Sequence, residues 1–290
     1  MAVAMEQIIN LRRITNAGIA ACKKALEDAN GNINQAIINI QKTGKHISEN
    51  RGGKSASAGI SFSAINDECD FAVIGSVSCE TDFSVNSKVI SDFIDKLCDY
   101  AIKNRCKTID EVKIETNSIT NEKPCYISAK EAIEKEIIAQ IKEKVVLEYD
   151  YIEGGTIFTY THFNKRVSAL LKCDLTGIND SAEDLKKNVY SICSKICLQI
   201  ACCDSILGIL REDIKEKDVN TALDIATAKA DEKAKNDDVK QHIITGYMNE
   251  FYQGAALLEQ PYMDGSNILI KDLIKKNNIK IIDYKRLKTF

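Results

Sequence analysis

At Gly59 the spacing of apolar residues changes from the three-to-four-residue beat of amphipathic helices to strict alternation, and this switch constrains the fold more than any other feature. Before it, three short helical patterns follow one another. The first, around Met5 to Arg13, places Ile8 and Leu11 three apart, and Thr15-Asn16-Ala17-Gly18 interrupts it because Asn and Gly accept turn conformations. The second aligns Ile19, Cys22, Leu26 and Ala29 and stops at Asn30-Gly31. The third, after Asn32 as a cap, aligns Ile33, Ala36, Ile37 and Ile40 and is expected to end at Gly44. Residues 1–44 therefore read as a small three-helix domain. Residues 45–58 carry Gly52, Gly53, Ser55 and Ser57 among Lys45, Arg51 and Lys54 with no apolar period, the pattern of a linker.

After the switch, Ile60, Phe62 and Ala64 alternate with small or polar residues, Asn66 to Asp70 supply turn chemistry, and Phe71, Val73, Gly75, Val77 and Cys79 alternate again. That is an antiparallel hairpin over 59–79. Ile90, Phe93, Ile94, Leu97 and Ala101 then mark a helix facing the sheet, joined to it by the connector Glu80-Thr81-Asp82-Phe83-Ser84-Val85-Asn86. Residues 107–144 read as helical with a break at Pro124. Val145 to Ile152, Thr156 to Thr161 and Arg166 to Leu175 read as strands, followed by a helix with Leu185, Val189, Ile192, Ile196 and Ile200 on one face. The hairpin-then-helix order of 59–101 thus recurs over 156–200. Between Arg211 and Lys240, 16 of 30 residues are charged, and Val219, Leu223, Ala226 and Ala230 form a stripe too thin for a broad core but sufficient for a helix-helix seam. Val239, Ile243, Tyr247 and Phe251 supply the returning face. The expected architecture is α+β: the three-helix domain, then two antiparallel-sheet-plus-helix subdomains over 59–150 and 151–290, the second carrying a projecting antiparallel helical hairpin at 212–251. A strand-like Ile279 to Tyr284 closes the pattern. A chain of 290 residues, 44% hydrophobic, is long enough for such cores.

Charge and composition exclude several functions. The net charge of −3 hides an asymmetry: residues 1–54 hold eight Lys/Arg against four Asp/Glu, leaving 31 against 38 elsewhere. A basic head on an acidic body argues against a surface that grips nucleic acid directly, and the helix-turn-helix reading of Thr15 to Gly18 lacks a basic second helix beyond Lys23 and Lys24. No apolar run is long enough for a membrane span, and Met1 to Asn10 lacks the order of a secretory signal, so a cytoplasmic location is expected. Eleven cysteines, an odd number at irregular spacing, fit reduced thiols. Cys193 and Cys197, with Cys202 and Cys203 beyond, have helical rather than knuckle spacing, so they read as small buried hydrophobes and no bound metal is expected. His46, His162 and His242 sit in no nucleophile or metal motif. Gly52-Gly53-Lys54-Ser55 lacks both the first glycine and the preceding strand of a phosphate-binding loop. No cofactor and no catalytic residue is expected, and the chain does not read as an enzyme.

The connector remains. Thr81-Asp82-Phe83 puts a carboxylate beside a large ring between a strand and a helix. Two arrangements satisfy it: Asp82 or Asn86 caps the helix and Phe83 packs on Val89 or Ile90, or the ring projects from a rigid scaffold.

Leu11-Arg12-Arg13-Ile14-Thr15-Asn16-Ala17-Gly18 with Cys22-Lys23-Lys24-Ala25-Leu26, and then Cys79-Glu80-Thr81-Asp82-Phe83, closely resemble the two signatures of the elongation factor Ts family, in the right order. Ala29-Asn30-Gly31-Asn32-Ile33 to Gly44, Tyr160-Thr161-His162 and Leu257-Leu258-Glu259-Gln260-Pro261 extend the likeness along the chain. The resemblance implies a ubiquitin-associated-like helical domain at the N-terminus. It also implies nucleotide exchange on the GTPase elongation factor Tu, opened near its bound magnesium and phosphates. By the same resemblance Thr81, Asp82, Phe83 and Ser84 are the intruding segment; Leu11, Arg12 and Ile19 touch the GTPase from the helical module; Ile141 and His162 add core contacts. The chain departs from the pattern at Ser84, where valine is usual, at Ala20-Ala21, at Lys142, where glycine is frequent, and at Tyr247, where arginine is common. It also ends at Phe290, before the extra C-terminal helix of some members. The alternative reading is an adaptor that docks a ubiquitin-like or acidic partner through its N-terminal helices.

Overall fold

The computed structural model describes residues 3–15, 17–50, 55–120, 123–177, 183–233 and 236–289. By contact, the chain separates into two compact units, Met1–Glu153 with Thr161–Ser168 and Leu287–Phe290, and Gly154–Tyr160 with Ala169–Arg286.

In the first unit, α1 (Met5–Thr15), α2 (Ile19–Asp28) and α3 (Ile33–Asn50) follow the N-terminal apolar patterns. Ile8, Leu11, Cys22, Ala25, Leu26, Ala29, Ala36 and Ile40 bury together. The α2 terminus is closed by Asn30 and Gly31, both at positive φ, with the Gly31 N–H donating to the Leu26 carbonyl at 2.8 Å. Two expectations are corrected. Ile19 leaves the predicted stripe and is 47% exposed. Helix α3 runs through Gly44 to Asn50, because one interior glycine costs a helix only about 1 kcal/mol and α3 is braced along residues 133–141. Asn16 of the predicted first turn and residues 51–54 of the predicted linker lie outside the described residues.

The alternating segments form β1 (Ala58–Ile65) and β2 (Phe71–Cys79), and β2 pairs on its other edge with β5 (Val145–Glu153); the sheet order is β1-β2-β5, antiparallel throughout. Gly75 stands opposite Phe62, and a Cβ there would fall 2.3 Å from the Phe62 ring. The glycine makes room for that ring in the sheet. The short α4 (Asp82–Val85) and the long α5 (Lys88–Asn104) follow, and α5 lays Ile90, Phe93, Ile94, Leu97 and Ala101 on the sheet as its spacing predicts.

The expectation of helix over 107–144 is corrected in its first half. There β3 (Lys113–Thr120) and β4 (Lys123–Ser128) pair antiparallel. Ile114 and Thr116 alternate with Lys113, Glu115 and Asn117, a strand signature too short to stand out from the helical pattern around it. Pro124 falls where the register of this pair shifts, so its missing N–H leaves no ladder position empty. Only then does the chain turn helical, as α6 (Ala129–Ala132), a π-turn (Ile133–Ile137) and α7 (Ile138–Ile141).

The second unit repeats the order. Strands β6 (Thr156–Thr161), β7 (Val167–Asp174) and β8 (Lys280–Lys288) make a sheet of order β6-β7-β8, and α8 (Glu183–Cys202) buries Val189, Ile192, Cys193, Ile196, Cys197 and Ile200. Leu185, expected on that face, is exposed, as is Cys202. Cys193 and Cys197 are fully buried, and Cys197 Sγ donates to the carbonyls of Phe158 and Ala169, both at 3.5 Å. Burial pushes the Cys197 thiol up to about 12. Helices α9 (Glu216–Lys233) and α10 (Asp237–Ala255) form the helical hairpin, with Asn236 capping α10 by accepting from the Val239 N–H at 2.9 Å. Ala226 and Ala230 are buried in its seam, whereas Leu223 and Val239, expected on its apolar faces, are exposed. Tyr247 lies beneath the ammonium groups of Lys229 and Lys233. Helix α11 (Ile270–Lys276) precedes β8. No described helix is long and apolar enough to cross a membrane.

Candidate functional site

The β2-to-α5 connector is tied down on both sides, and the ties explain why its tip is exposed. Thr81 is the N-cap of α4: its Oγ1 accepts from the Ser84 N–H at 3.3 Å. Glu143 grips the same residue twice, with Oε2 accepting from the Thr81 N–H at 3.0 Å and Oε1 from the Thr81 hydroxyl at 2.8 Å. Glu80 Oε1 accepts from the Lys144 N–H at 2.9 Å. Asn86 closes the short helix by donating from Nδ2 to the Asp82 carbonyl at 2.8 Å. Residues 80–86 are therefore fastened to the turn after α7 by charge-assisted hydrogen bonds, which are stronger than neutral ones.

On the other side lies the tip between β6 and β7. A five-residue connection between neighbouring strands is too short for a crossover, so these two are antiparallel. The tip closes with the His162 N–H donating to the Val167 carbonyl and the Lys165 N–H to the His162 carbonyl, both at 2.8 Å. Lys165 adopts φ +55°. Arg166 is fixed at its backbone by Asn164 Oδ1 and by the Thr289 N–H. Its guanidinium donates to the Gly59 carbonyl at 3.2 Å and to Asp82 Oδ1 at 2.6 Å. A row of hydroxyls, Ser63 to Thr161 to Ser168 to Ser61, joins this tip to β1 at 2.8–2.9 Å per link.

Neither Asp82 nor Asn86 caps α5, whose N-cap is Ser87 with no side-chain cap bond; Thr81 caps the intervening α4, Asp82 turns to Arg166, and Phe83 is 88% exposed. Ser84 is buried under the connector. Ile141 is half-buried and lines, with Phe83, Ser84, Val89, Phe93 and Ile137, a cleft of about 590 Å³ at the foot of the Phe83 ring. Glu136 also borders this cleft, and burial raises its carboxyl pKa against the opposing pull of Lys96. Lys142 caps α7 at φ +61°, a left-handed position where glycine carries no Cβ strain. His162 is half-buried with its ring 4.5 Å from that of Phe163. In the helical module Arg12 and Ile19 are exposed, while Leu11 is fully buried and faces the core of the three helices.

The first unit thus brings Asp82, Phe83, Ile141 and His162 onto three segments cross-linked by hydrogen bonds. Sequence reasoning missed Glu143, Arg166, Phe163, and the exposed Met5 and Ile9 of α1. An aromatic at a turn was a usable signal for Phe163. Nothing local marks Glu143 or Arg166, whose partners lie 62 and 84 residues away. At the root of the connector, burial, with Glu143 and Glu80 adding to it, pushes the Cys79 thiol up to about 12, so that thiol stays neutral and unreactive at ordinary pH. Among the described residues, no group of three or more His, Cys, Asp or Glu side chains could hold a metal ion.

What the fold and the edge define is an α+β protein that presents a carboxylate and an aromatic ring from a braced scaffold. The family described as Elongation factor TS matches residues 80–289 of this chain. Full-length relatives agree: the elongation factor Ts of Halothermothrix orenii is 28% identical over 289 residues, covering 99% of this chain and 92% of that protein. That of Aquifex aeolicus is 26% identical over 286 residues, covering 97% and 95%, and that of Teredinibacter turnerae 24% over 289, covering 99% and 90%. The chain belongs to the elongation factor Ts family, and with it to the translation elongation factors of protein biosynthesis.

Proposed function

We propose that this chain is a guanine-nucleotide exchange factor that binds the GDP form of elongation factor Tu and promotes GDP release by disturbing the magnesium and phosphate site. The observation that carries the reading is the Phe83 ring, 88% exposed on a connector lashed at Thr81 by Glu143 and at Asp82 by Arg166. A ring held in water by a rigid frame is an intruder that needs no rearrangement of its own.

The exchange itself requires no chemical step from this chain. Magnesium binds phosphate oxygens in near-octahedral geometry, so shifting a few of its ligands weakens GDP without breaking a covalent bond. Burying one phenylalanine is worth about 1.5–3 kcal/mol, which by linkage weakens nucleotide about 10- to 100-fold at most. Phe83 alone is therefore insufficient, and further contacts must favour the opened GTPase, because only differential affinity shifts an equilibrium. Arg12 and Ile19, with Met5 and Ile9 on the same helical module, and Ile141 and His162 beside the connector, are the groups assigned to supply it. The basic head steers association with an acidic partner, an effect that fades with salt.

The test is release of fluorescent GDP from elongation factor Tu, with the wild-type protein and with Phe83→Ala. Wild-type acceleration that drops at least tenfold in the variant supports the reading, and no acceleration by the wild type sinks it. In the adaptor alternative the N-terminal helices do all the binding, so a variant changed at Arg12 and Ile19 would bind no partner while Phe83→Ala bound normally.

A further inference from the structure

Phe163 matches Phe83 in being 88% exposed, and among the described residues these are the two most exposed large apolar side chains. The Phe163 ring contributes little to holding its own loop. The tip is closed by the backbone bonds of His162, Lys165 and Val167, by Asn164 accepting from the Arg166 N–H at 2.9 Å, and by the Ser61 N–H donating to the Lys165 carbonyl at 2.6 Å. A lone exposed apolar side chain is ordinary on a protein surface; what sets this one apart is a braced loop tied by Arg166 to the connector that carries Phe83.

The two rings also share a mounting. Phe83 is one residue from Asp82 and Phe163 is three from Arg166, and the Arg166–Asp82 contact is 2.6 Å. Both rings therefore ride on segments that a direct ion pair joins. Around Phe163 the exposed Lys165 and the partly exposed Arg166 add positive charge, so the tip fits an apolar patch rimmed by carboxylates.

We propose that Phe163 is a second aromatic anchor of the partner-binding edge, seated on the same GTPase as Phe83 and supplying affinity while Phe83 does the disturbing. This rests on the exchange-factor reading above. The two rings then divide labour: Phe163 holds, and Phe83 opens.

The experiment measures binding of elongation factor Tu loaded with GDP, the rate of GDP release at saturating exchange factor, and the melting temperature of the free chain, for wild type, Phe163→Ala and Phe83→Ala. Phe163→Ala is expected to weaken binding about tenfold, through faster dissociation, with the saturating release rate within about twofold of wild type and an unchanged melting temperature. Binding equal to wild type overturns the role of Phe163 and leaves the exchange reading standing. A saturating rate lost in parallel with that of Phe83→Ala overturns the division of labour. A wild-type chain that does not bind the GTPase overturns both readings.

Discussion

Two hairpin tips in the first unit are built from the same parts and end in opposite states. Between β1 and β2, Asn66 Oδ1 accepts from the Asp70 and Phe71 N–H groups at 3.0 and 2.9 Å, Arg105 donates to Asp70 at 2.8 Å, and the Arg105 guanidinium lies 5.0 Å above a Phe71 ring with no exposed surface. Between β6 and β7, Asn164 accepts from a backbone N–H, Arg166 donates to Asp82, and Phe163 stands in solvent. Each tip has an asparagine, an arginine-aspartate pair and a phenylalanine. In the first the arginine pairs with the tip's own aspartate and roofs the ring, so the turn is sealed. In the second the arginine reaches across to another segment and leaves the ring uncovered. Composition does not separate a turn whose ring is covered from one whose ring is left in solvent; the destination of the arginine does.

The comparison breaks most easily at the rings. Phe71→Ala removes a fully buried ring that also stacks on Tyr151 at 6.0 Å and is expected to cost about 3–5 kcal/mol of stability, read as a lower urea midpoint at unchanged slope. The corresponding change at the open tip, Phe163→Ala, is the one expected to leave stability alone. Asn66→Ala should come next, costing about 1–3 kcal/mol, because two backbone donors and the buried turn lose their acceptor; chemical denaturation that shows under about 0.5 kcal/mol would mean that water replaces the amide. Smallest in stability is Arg166→Met. Its pair with the largely exposed Asp82 is worth about 0–1 kcal/mol to the fold, yet if the pair aims the connector, exchange should fall several-fold, and Asp82→Asn should add nothing to the loss in the double variant. Additive losses would remove the positioning role.

What could be read without coordinates was whatever depends on neighbours in the chain. The three N-terminal helices, the 59–79 hairpin and the α5 stripe Ile90, Phe93, Ile94, Leu97 and Ala101 all obey local periods. The pairing of β3 with β4 was missed because the alternation is carried only by Ile114 and Thr116 and Pro124 interrupts the segment, a pattern that resembles a broken helix when the pairing of Thr116 with Cys125 is unknown. Ile19 was placed on an apolar stripe by spacing alone, although the packing of α2 turns it outward. The motif at Thr81-Asp82-Phe83 was visible as a motif, with its exposure undecided.

The order of residues alone determined the class of fold, the position of the connector between a hairpin and a helix, and membership of a family, since each follows from short-range periodicity and contiguous motifs. Only the tertiary structure decided that Glu143 and Arg166 are the two hands on that connector, that Ser84 turns inward, and that Phe83 and Phe163 face water. The physical reason is separation: a hydrogen bond between residues 62 or 84 positions apart leaves no trace in the local pattern of either. Exposure, likewise, belongs to a side chain's surroundings and not to its identity.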